Sequence, residues 1–255
     1  MRFCVLSSGS KGNATWVEAE GSALLVDAGL SGKEIERRMA IAGLSPEKLS
    51  AILVSHEHRD HISGVGIMAR RYNLPVYINK LTLAQCQTHL KKVRVNLFRT
   101  GTEFDLGPIS IHPFSISHDA ADPVGFIFGN NGDTLGLATD LGTATKLVRA
   151  RLSKCKAMVI ESNHDPEMLI NGPYHWDLKR RVQGRRGHLS NDAAAELLND
   201  VVHQGLKRVV LAHLSEVNNE PELALARASF VLNSCQSRFH LEVACQDKPS
   251  RVFEI

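Results

Sequence analysis

The sequence predicts an α/β (α+β) sandwich in four layers, αββα, in which two mixed sheets lie face to face with helices outside each; three observations carry this. Short β-rich runs follow one another at the start of the chain, the pattern of an antiparallel opening. Later runs mix strand-like and helix-like periodicities. In the helix expected from Asn191, Ala194, Leu197, Leu198, Val201 and Val202 recur at i, i+3, i+4, i+7 and i+8, a one-sided stripe that must face a sheet. Layers of helix, sheet, sheet and helix bury every one of these apolar faces.

In chain order, Arg2 to Leu6, Ala14 to Glu18 and Ala23 to Asp27 read as strands, joined by Ser7-Ser8-Gly9-Ser10-Lys11-Gly12-Asn13 and a turn near Gly21. A helix is expected over about Gly32 to Ala42, a buried strand over Ile52 to Ser55, a helix over Ile62 to Tyr72 and an extended run over Val76 to Asn79. Ile109 to Ile116, Gly125 to Gly129 and Thr134 to Thr139 are short β-type runs, the last two joined by Asn131-Gly132, a two-residue hairpin turn. Thr143 to Leu152 reads as helix, Ala157 to Glu161 as strand, Lys207 to His213 as strand and Glu222 to Leu232 as helix.

At 255 residues the chain can bury a large core, and without a Pro/Ser-rich linker or like-charge block it is expected to form one domain over residues 1–255. The first ten residues hold only four apolar positions in a row, too few for a signal peptide, and no long uncharged apolar run occurs, so a cytoplasmic protein away from membranes is expected. Cys4, Cys86, Cys155, Cys235 and Cys245 are odd in number and lack Cys-x-x-Cys spacing, which argues against disulfides and thiolate zinc sites. A net charge of +3 neither demands nor opposes a nucleic-acid partner, so local charge is the feature to read. Oligomeric state is not legible.

The run His56-Glu57-His58-Arg59-Asp60-His61 places four metal-binding side chains within six residues, directly after the apolar stretch Ala51-Ile52-Leu53-Val54-Ser55. Ligands at a strand's carboxyl end open into a loop. Three further polar residues stand in the same context: His118 after Ile109 to Ser117, Asp140 after Leu135 to Thr139, and His213 after Val209 to Ala212. Such strand ends can converge on one rim.

This order, His-x-His-x-Asp-His, then Ser117-His118-Asp119, then Ala138-Thr139-Asp140, then Leu211-Ala212-His213, resembles the metallo-β-lactamase-fold hydrolases over nearly the whole chain. The resemblance implies that His56, His58 and His118 hold one divalent ion, that Asp60, His61 and His213 hold a second, and that Asp140 bridges them. It also implies that Asp27 supports the metal loop by hydrogen bonds. Imidazoles and carboxylates suit zinc or manganese, with iron compatible. Two such ions about 3.5 to 4 Å apart can share a water and turn it into a bridging hydroxide, which makes hydrolysis the implied chemistry.

Three features favour a phosphodiester substrate. Asp140 stands where the resembling zinc β-lactamases lack a bridging carboxylate. Gly187-His188-Leu189-Ser190-Asn191 precedes a helix and resembles the His-x-Thr motif of tRNA 3'-processing ribonucleases; a helix N-terminus with a hydroxyl and an imidazole cradles phosphate, and a plain Ser190 cap is the competing reading. Lys179 to Arg186 holds five cations in eight residues beside Tyr174 and Trp176, with Arg180 and Arg181 as phosphate contacts or as a solvated helix face. Ser7-Ser8-Gly9-Ser10-Lys11-Gly12-Asn13, Glu161-Ser162-Asn163-His164-Asp165, Asn171-Gly172-Pro173-Tyr174 and Gly187-His188-Leu189-Ser190-Asn191 together resemble the YycJ/WalJ-type bacterial branch, which implies 5'-to-3' exonuclease action on DNA in preference to RNA. Asp60 would then orient the nucleophile and His188 assist at the phosphate or leaving oxygen; Asn163, His164, Arg180, Arg181 and Ser190 are candidate substrate contacts, capping being an equal reading for Asn163 and His164. The competing functions are a small thioester, lactone or β-lactam hydrolase of the same fold and a non-catalytic metal-stabilised scaffold.

Overall fold

The computed structural model describes residues 1–234 and 238–255, so Cys235 lies outside the described residues. The β-branched and aromatic runs at the N-terminus form β1 (Arg2–Ser7), β2 (Ala14–Ala19) and β3 (Ser22–Val26), antiparallel neighbours, followed by α1 (Gly32–Ile41) and β4 (Leu49–Leu53), which pairs parallel with β3. Next come α2 (Arg59–Ile62), α3 (Val65–Arg71), β5 (Val76–Asn79), α4 (Lys80–Cys86) and β6 (Val95–Phe98). The second half supplies β7 (Phe104–Leu106), β8 (Ile109–Ser115), β9 (Val124–Asn130), β10 (Asp133–Ala138), α5 (Lys146–Leu152) and β11 (Ala157–Glu161). It continues with α6 (Pro166–Asn171), α7 (Trp176–Gln183), α8 (Asn191–Val201), β12 (Arg208–Ala212), α9 (Pro221–Ser234), β13 (His240–Val243) and β14 (Phe253–Glu254).

Two seven-stranded sheets result, in the orders β14-β1-β2-β3-β4-β5-β6 and β13-β12-β11-β10-β9-β8-β7. Both are mixed, as the sequence predicts. Alternation along each strand decides which layer a side chain enters. Leu24 and Val26 of β3 join Val159 of β11 and Val210 of β12 between the sheets, with Phe3, Phe126 and Phe128. Leu25 and Ile52 face outward onto Ile35 and Met39 of α1 and Val65 and Met68 of α3. On the other side Met158, Ile160 and Leu211 meet Leu197, Leu198 and Val201 of α8. The stripe read from the sequence is thus the face that α8 buries.

The Asn131-Gly132 turn closes β9 onto β10, Asn130 pairing with Asp133, with φ +47° and +81° at its two residues, the left-handed geometry of a two-residue hairpin turn. One helix expectation is corrected: Ile62 to Tyr72 is broken into α2 and α3 at Ser63-Gly64. Gly64 N donates to Ala28 O at 2.7 Å, and a Cβ at Gly64 would stand 2.1 Å from Leu30 O, so this close backbone approach overrides helical continuity. Cys4, Cys86 and Cys155 are buried free thiols, and burial pushes Cys86 and Cys155 up to about 11 and about 12, outside the reactive range. No helix among the described residues is long and apolar enough to cross a membrane.

β3 and β4 are parallel in one sheet and β10 to β12 in the other, and the residues just beyond them, Asp27, His56, Asp140 and His213 with Glu161 closing β11, gather on one rim. Gly29 welds that rim. Its N–H donates to Asn13 O at 2.9 Å, Asn13 N donates to Asp60 O at 2.7 Å, and a Cβ on Gly29 would fall 1.6 Å from Asp60 O. Gly29→Ala is therefore expected to destabilise the protein by about 1–3 kcal/mol or more through overpacking, read as a lowered urea midpoint at unchanged slope. An unshifted midpoint contradicts this packing argument.

Candidate metal centre

Among the described residues, the side chains that can hold metal form three groups at the rim, His56, His58 and His118, then Asp60, His61, Asp140 and His213, and an overlapping set of Asp140, Glu161, His188 and His213, the ligand atoms of each group lying within 4.8 Å of one another; the first two match the ligand sets expected from the sequence. In the first, His58 Nδ1 lies 3.2 Å from both His56 Nε2 and His118 Nε2. In the second, His61 Nε2 lies 3.5 Å from Asp60 Oδ2 and 3.2 Å from Asp140 Oδ2. Asp140 faces both groups, since its Oδ1 is 3.7 Å from His118 Nε2 and 3.5 Å from His213 Nε2. All but His58 and Asp60 are buried.

Each imidazole is aimed by what its other nitrogen touches. His61 Nδ1 donates to Asp27 Oδ2 at 2.8 Å, and His213 Nδ1 to Glu161 Oε1 at 2.8 Å. His118 Nδ1 donates to Gly187 O at 3.2 Å. Ser55 Oγ donates to Asp27 Oδ2 at 2.7 Å and accepts from His56 Nδ1 at 3.0 Å, while Ser55 N donates to Asp27 Oδ1 at 2.8 Å. These partners fix the tautomers and leave Nε2 of His56, His61, His118 and His213 facing the centre. Asp27, Asp140 and His213 all hold φ of +57° to +58°, a left-handed backbone uncommon for such residues.

The donor set fits cations. Asp140 Oδ2 and His213 Nε2 are buried atoms without a hydrogen-bond partner among the described residues, a costly state for a polar atom that a coordinated ion relieves. Charge points the same way. Burial disfavours the charged form of His213, but Asp140, Asp60 and Glu161 outweigh it and raise the ring to about 10; His61 is raised well above its ordinary value as Asp140 and Asp27 outweigh burial. Against the burial that favours their neutral forms, these cations hold Asp60 and Asp140 far below the usual carboxylate range. His56 and His118 are lowered, chiefly by burial.

Glu161, which sequence reasoning placed only as the end of a strand, is fully buried and accepts from His188 Nδ1 at 2.7 Å, His213 Nδ1 at 2.8 Å, Leu141 N at 2.6 Å and Leu189 N at 3.2 Å. Burial opposes its charge, yet His188 and His213 hold it at about 2. In return it raises His188 against burial. The His188 ring centroid lies 5.2 Å from that of His118 and 5.1 Å from that of His213, so this imidazole borders both ligand groups. Asn13 is the second residue missed: its Nδ2 lies 3.2 Å from Asp60 Oδ2 and 2.9 Å from His61 Nε2. A polar residue closing a glycine-rich loop was the only signal for it.

The candidate substrate contacts are spread more widely. Asn163 Nδ2 donates to His213 O at 2.7 Å, bracing that left-handed turn. His164 is buried, Ser190 caps α8 by accepting from Ala193 N at 3.1 Å, and both line a hollow of about 230 Å³ with His188 and Gln183. Arg180 is exposed and paired with Asp177 at 2.6 Å, and Arg181 Nε donates to Asp119 Oδ2 at 2.8 Å. Of the five cations of that run Lys179 is buried and its Nζ donates to Ile170 O at 2.6 Å, while Arg186 is exposed and its Nε also donates to His118 O at 3.1 Å.

A family model described as a β-lactamase superfamily domain matches residues 23–214. The chain is 42% identical over 235 residues to exodeoxyribonuclease YycJ of Bacillus anthracis, covering 91% of this chain and 89% of that one. It is 39% identical over 228 residues to exodeoxyribonuclease WalJ of Streptococcus pneumoniae, covering 88% and 85%. Among solved structures, the metallo-β-lactamase fold protein YhfI of Bacillus subtilis superposes with a TM-score of 0.74 at 16% identity over 99% of both chains, a likeness of fold alone.

Because the buried carboxylates raise both His61 and His213 and so favour their protonated forms in the metal-free protein, a divalent ion has to displace protons to bind them. Metal uptake is therefore expected to release protons and to tighten as pH rises toward the raised value of about 10 for His213. Calorimetric titration with zinc in buffers of different ionisation heat measures this release. Heats independent of the buffer count against the assignment.

Proposed function

This chain belongs to the metallo-β-lactamase superfamily, in the branch of the YycJ- and WalJ-type proteins, and on that premise we propose that it is a dinuclear metal-dependent phosphodiesterase, a DNA exonuclease of 5'-to-3' polarity. The observation that carries the reading is the convergence of a metal-ligand pocket with a Glu161-held His188. A scaffold needs about four ligands and no additional imidazole.

His56, His58 and His118 would hold one ion and Asp60, His61 and His213 the other, Asp140 facing both groups. Zinc or manganese suits these donors and iron is compatible, and such a pair supplies Lewis acidity toward water and phosphate oxygens. Asp60, ionised and on the open edge of the pocket, orients the attacking water and takes its proton. As the bond from phosphorus to the departing sugar oxygen breaks, His188 Nε2 gives that oxygen a proton, and Nδ1–H stays on Glu161. The hollow at the N-terminus of α8, with Ser190 and His164 in its wall, receives a phosphate oxygen, where backbone N–H groups and the helix dipole favour an anion. Arg180 and Arg181 contact the strand's backbone beyond it. DNA is preferred to RNA on the names of the two bacterial relatives, and residues 1–255 act as one cytoplasmic domain.

On labelled duplex DNA, Asp60→Ala and His188→Ala are each expected to lower turnover by about 10²–10⁴-fold, the His188 variant retaining two metal ions per chain. Full activity in either removes the role given to that residue. In the double variant Arg180→Ala/Arg181→Ala, DNA affinity weakens and the slope of log affinity against log salt falls by up to about 2. A slope that does not move takes both arginines out of the DNA path and favours a small-ester substrate.

A further inference from the structure

His188 lines a second hollow, of about 170 Å³, with His213 on the same wall. Its lining also includes Tyr174, Leu178 and Val182, an aromatic and two aliphatic side chains, and the amides of Asn163 and Asn218. We propose that this hollow is a nucleobase pocket, receiving the base of the terminal nucleotide that departs during cleavage. What the base is attached to rests on the phosphodiesterase reading; that the hollow takes a base rests on its own chemistry.

The size argues for one ring system. Pockets for whole drug-sized ligands run to roughly 300–1,000 Å³, so this one admits a base and leaves sugar and phosphate outside. The walls suit a flat heteroaromatic group, apolar on its faces and polar at its edge. Tyr174 is half-buried and offers a ring for stacking, which tolerates any base because every base has a π-face. Asn218 is 1% exposed, and its Oδ1 is a buried acceptor with no hydrogen-bond partner among the described residues. That oxygen packs against Gly172, so the polar edge of a base is met instead by the other polar lining of the hollow, Ser10, Asn163 and Ser215.

The pocket is also held in shape. A Cβ on Gly172 would stand 2.3 Å from Asn218 Oδ1 and 2.6 Å from Met168 O, so only glycine lets the loop carrying Tyr174 lie this close to Asn218. Asp165 N donates to Asn218 O at 2.9 Å, and Asn218 N to Ser215 Oγ at 3.1 Å. His188 N donates to Val182 O at 2.9 Å, which ties the apolar wall to the imidazole beside the departing oxygen. A base seated here therefore belongs to the nucleoside whose oxygen His188 protonates.

The test uses two ligands alike in sugar and phosphate. Titrated into the manganese-loaded protein, dAMP is expected to bind at least about tenfold tighter than deoxyribose 5-phosphate, the scale of one base–aromatic stack. Tyr174→Ala should erase that ratio and Tyr174→Phe preserve it; equal affinities in the unaltered protein overturn the pocket, whatever the variants do. Release of the first nucleotide from duplex DNA, with a base or an abasic residue at the 5' end, is followed in parallel. Cleavage of DNA without any dAMP preference sinks the pocket and spares the phosphodiesterase reading. A dAMP preference with no DNA cleaved supports the pocket and sinks that reading.

Discussion

Everything at the rim depends on a carboxylate buried behind the imidazoles of each sheet. Glu161 has no exposed surface, and a buried carboxylate is tolerated only when its oxygens are engaged. Its four donors come from three places in the chain: His213 beyond β12, His188 and Leu189 before α8, and Leu141 beside Asp140 after β10. This one carboxylate thereby fixes the His213 and His188 imidazoles and the backbone next to Asp140. Asp27 performs the matching task at the end of β3, where Ser55 and His61 converge on it. Substituting either carboxylate would leave imidazoles free to rotate, which explains why the pocket is built from buried charge in spite of its cost.

Strain and close approach are the second consequence. Left-handed backbones at Asp27, Asp140 and His213 turn three strand ends abruptly toward the pocket, each conformation costing on the order of 1–3 kcal/mol. At His213 the turn is held by Ser8 Oγ, which accepts from its N–H at 2.7 Å, and by Asn163 on its carbonyl. Both braces come from segments fixed by the packed sheets, so the core between Phe3, Phe126 and Val210 supplies the rigidity that the rim consumes.

Metal-binding residue types and strand ends were legible in the sequence because both are local. An apolar run followed by His or Asp states its own context, and the six-residue run after β4 states four candidates at once. Glu161 and Asn13 were not legible as functional residues, since what distinguishes them is the partner each meets across the fold: His213 lies 52 positions from Glu161, and Asp60 lies 47 from Asn13. The partners of the basic run were hidden for the same reason. Composition shows five cations, while the fold turns Lys179 onto the Ile170 carbonyl and Arg186 onto that of His118. The stretch holding α4, β6 and β7 gave no reading because its apolar residues do not keep one face, Leu81 and Leu97 being 55% and 58% exposed while Cys86 and Phe98 are buried.

Arg181 shows how the remaining charge is kept available at small cost. It pairs with Asp119, whose other oxygen lies 3.5 Å from His118 Nε2 and 4.0 Å from His58 Nε2, so a single carboxylate connects this arginine to the first ligand group. Both partners are partly solvated, and exposed pairs of this kind contribute only about 0–1 kcal/mol. On the reading proposed above, an incoming phosphate can therefore exchange for Asp119 almost without loss, while the pair has kept the guanidinium oriented toward the rim beforehand. The buried charges of the pocket cannot exchange in this way, because Glu161 and Asp27 have no solvent to replace their partners. A rigid, dehydrated charge array bordered by a loosely paired, solvated one separates holding the ions from admitting a polyanion, and the boundary between them runs through His118 and Asp119.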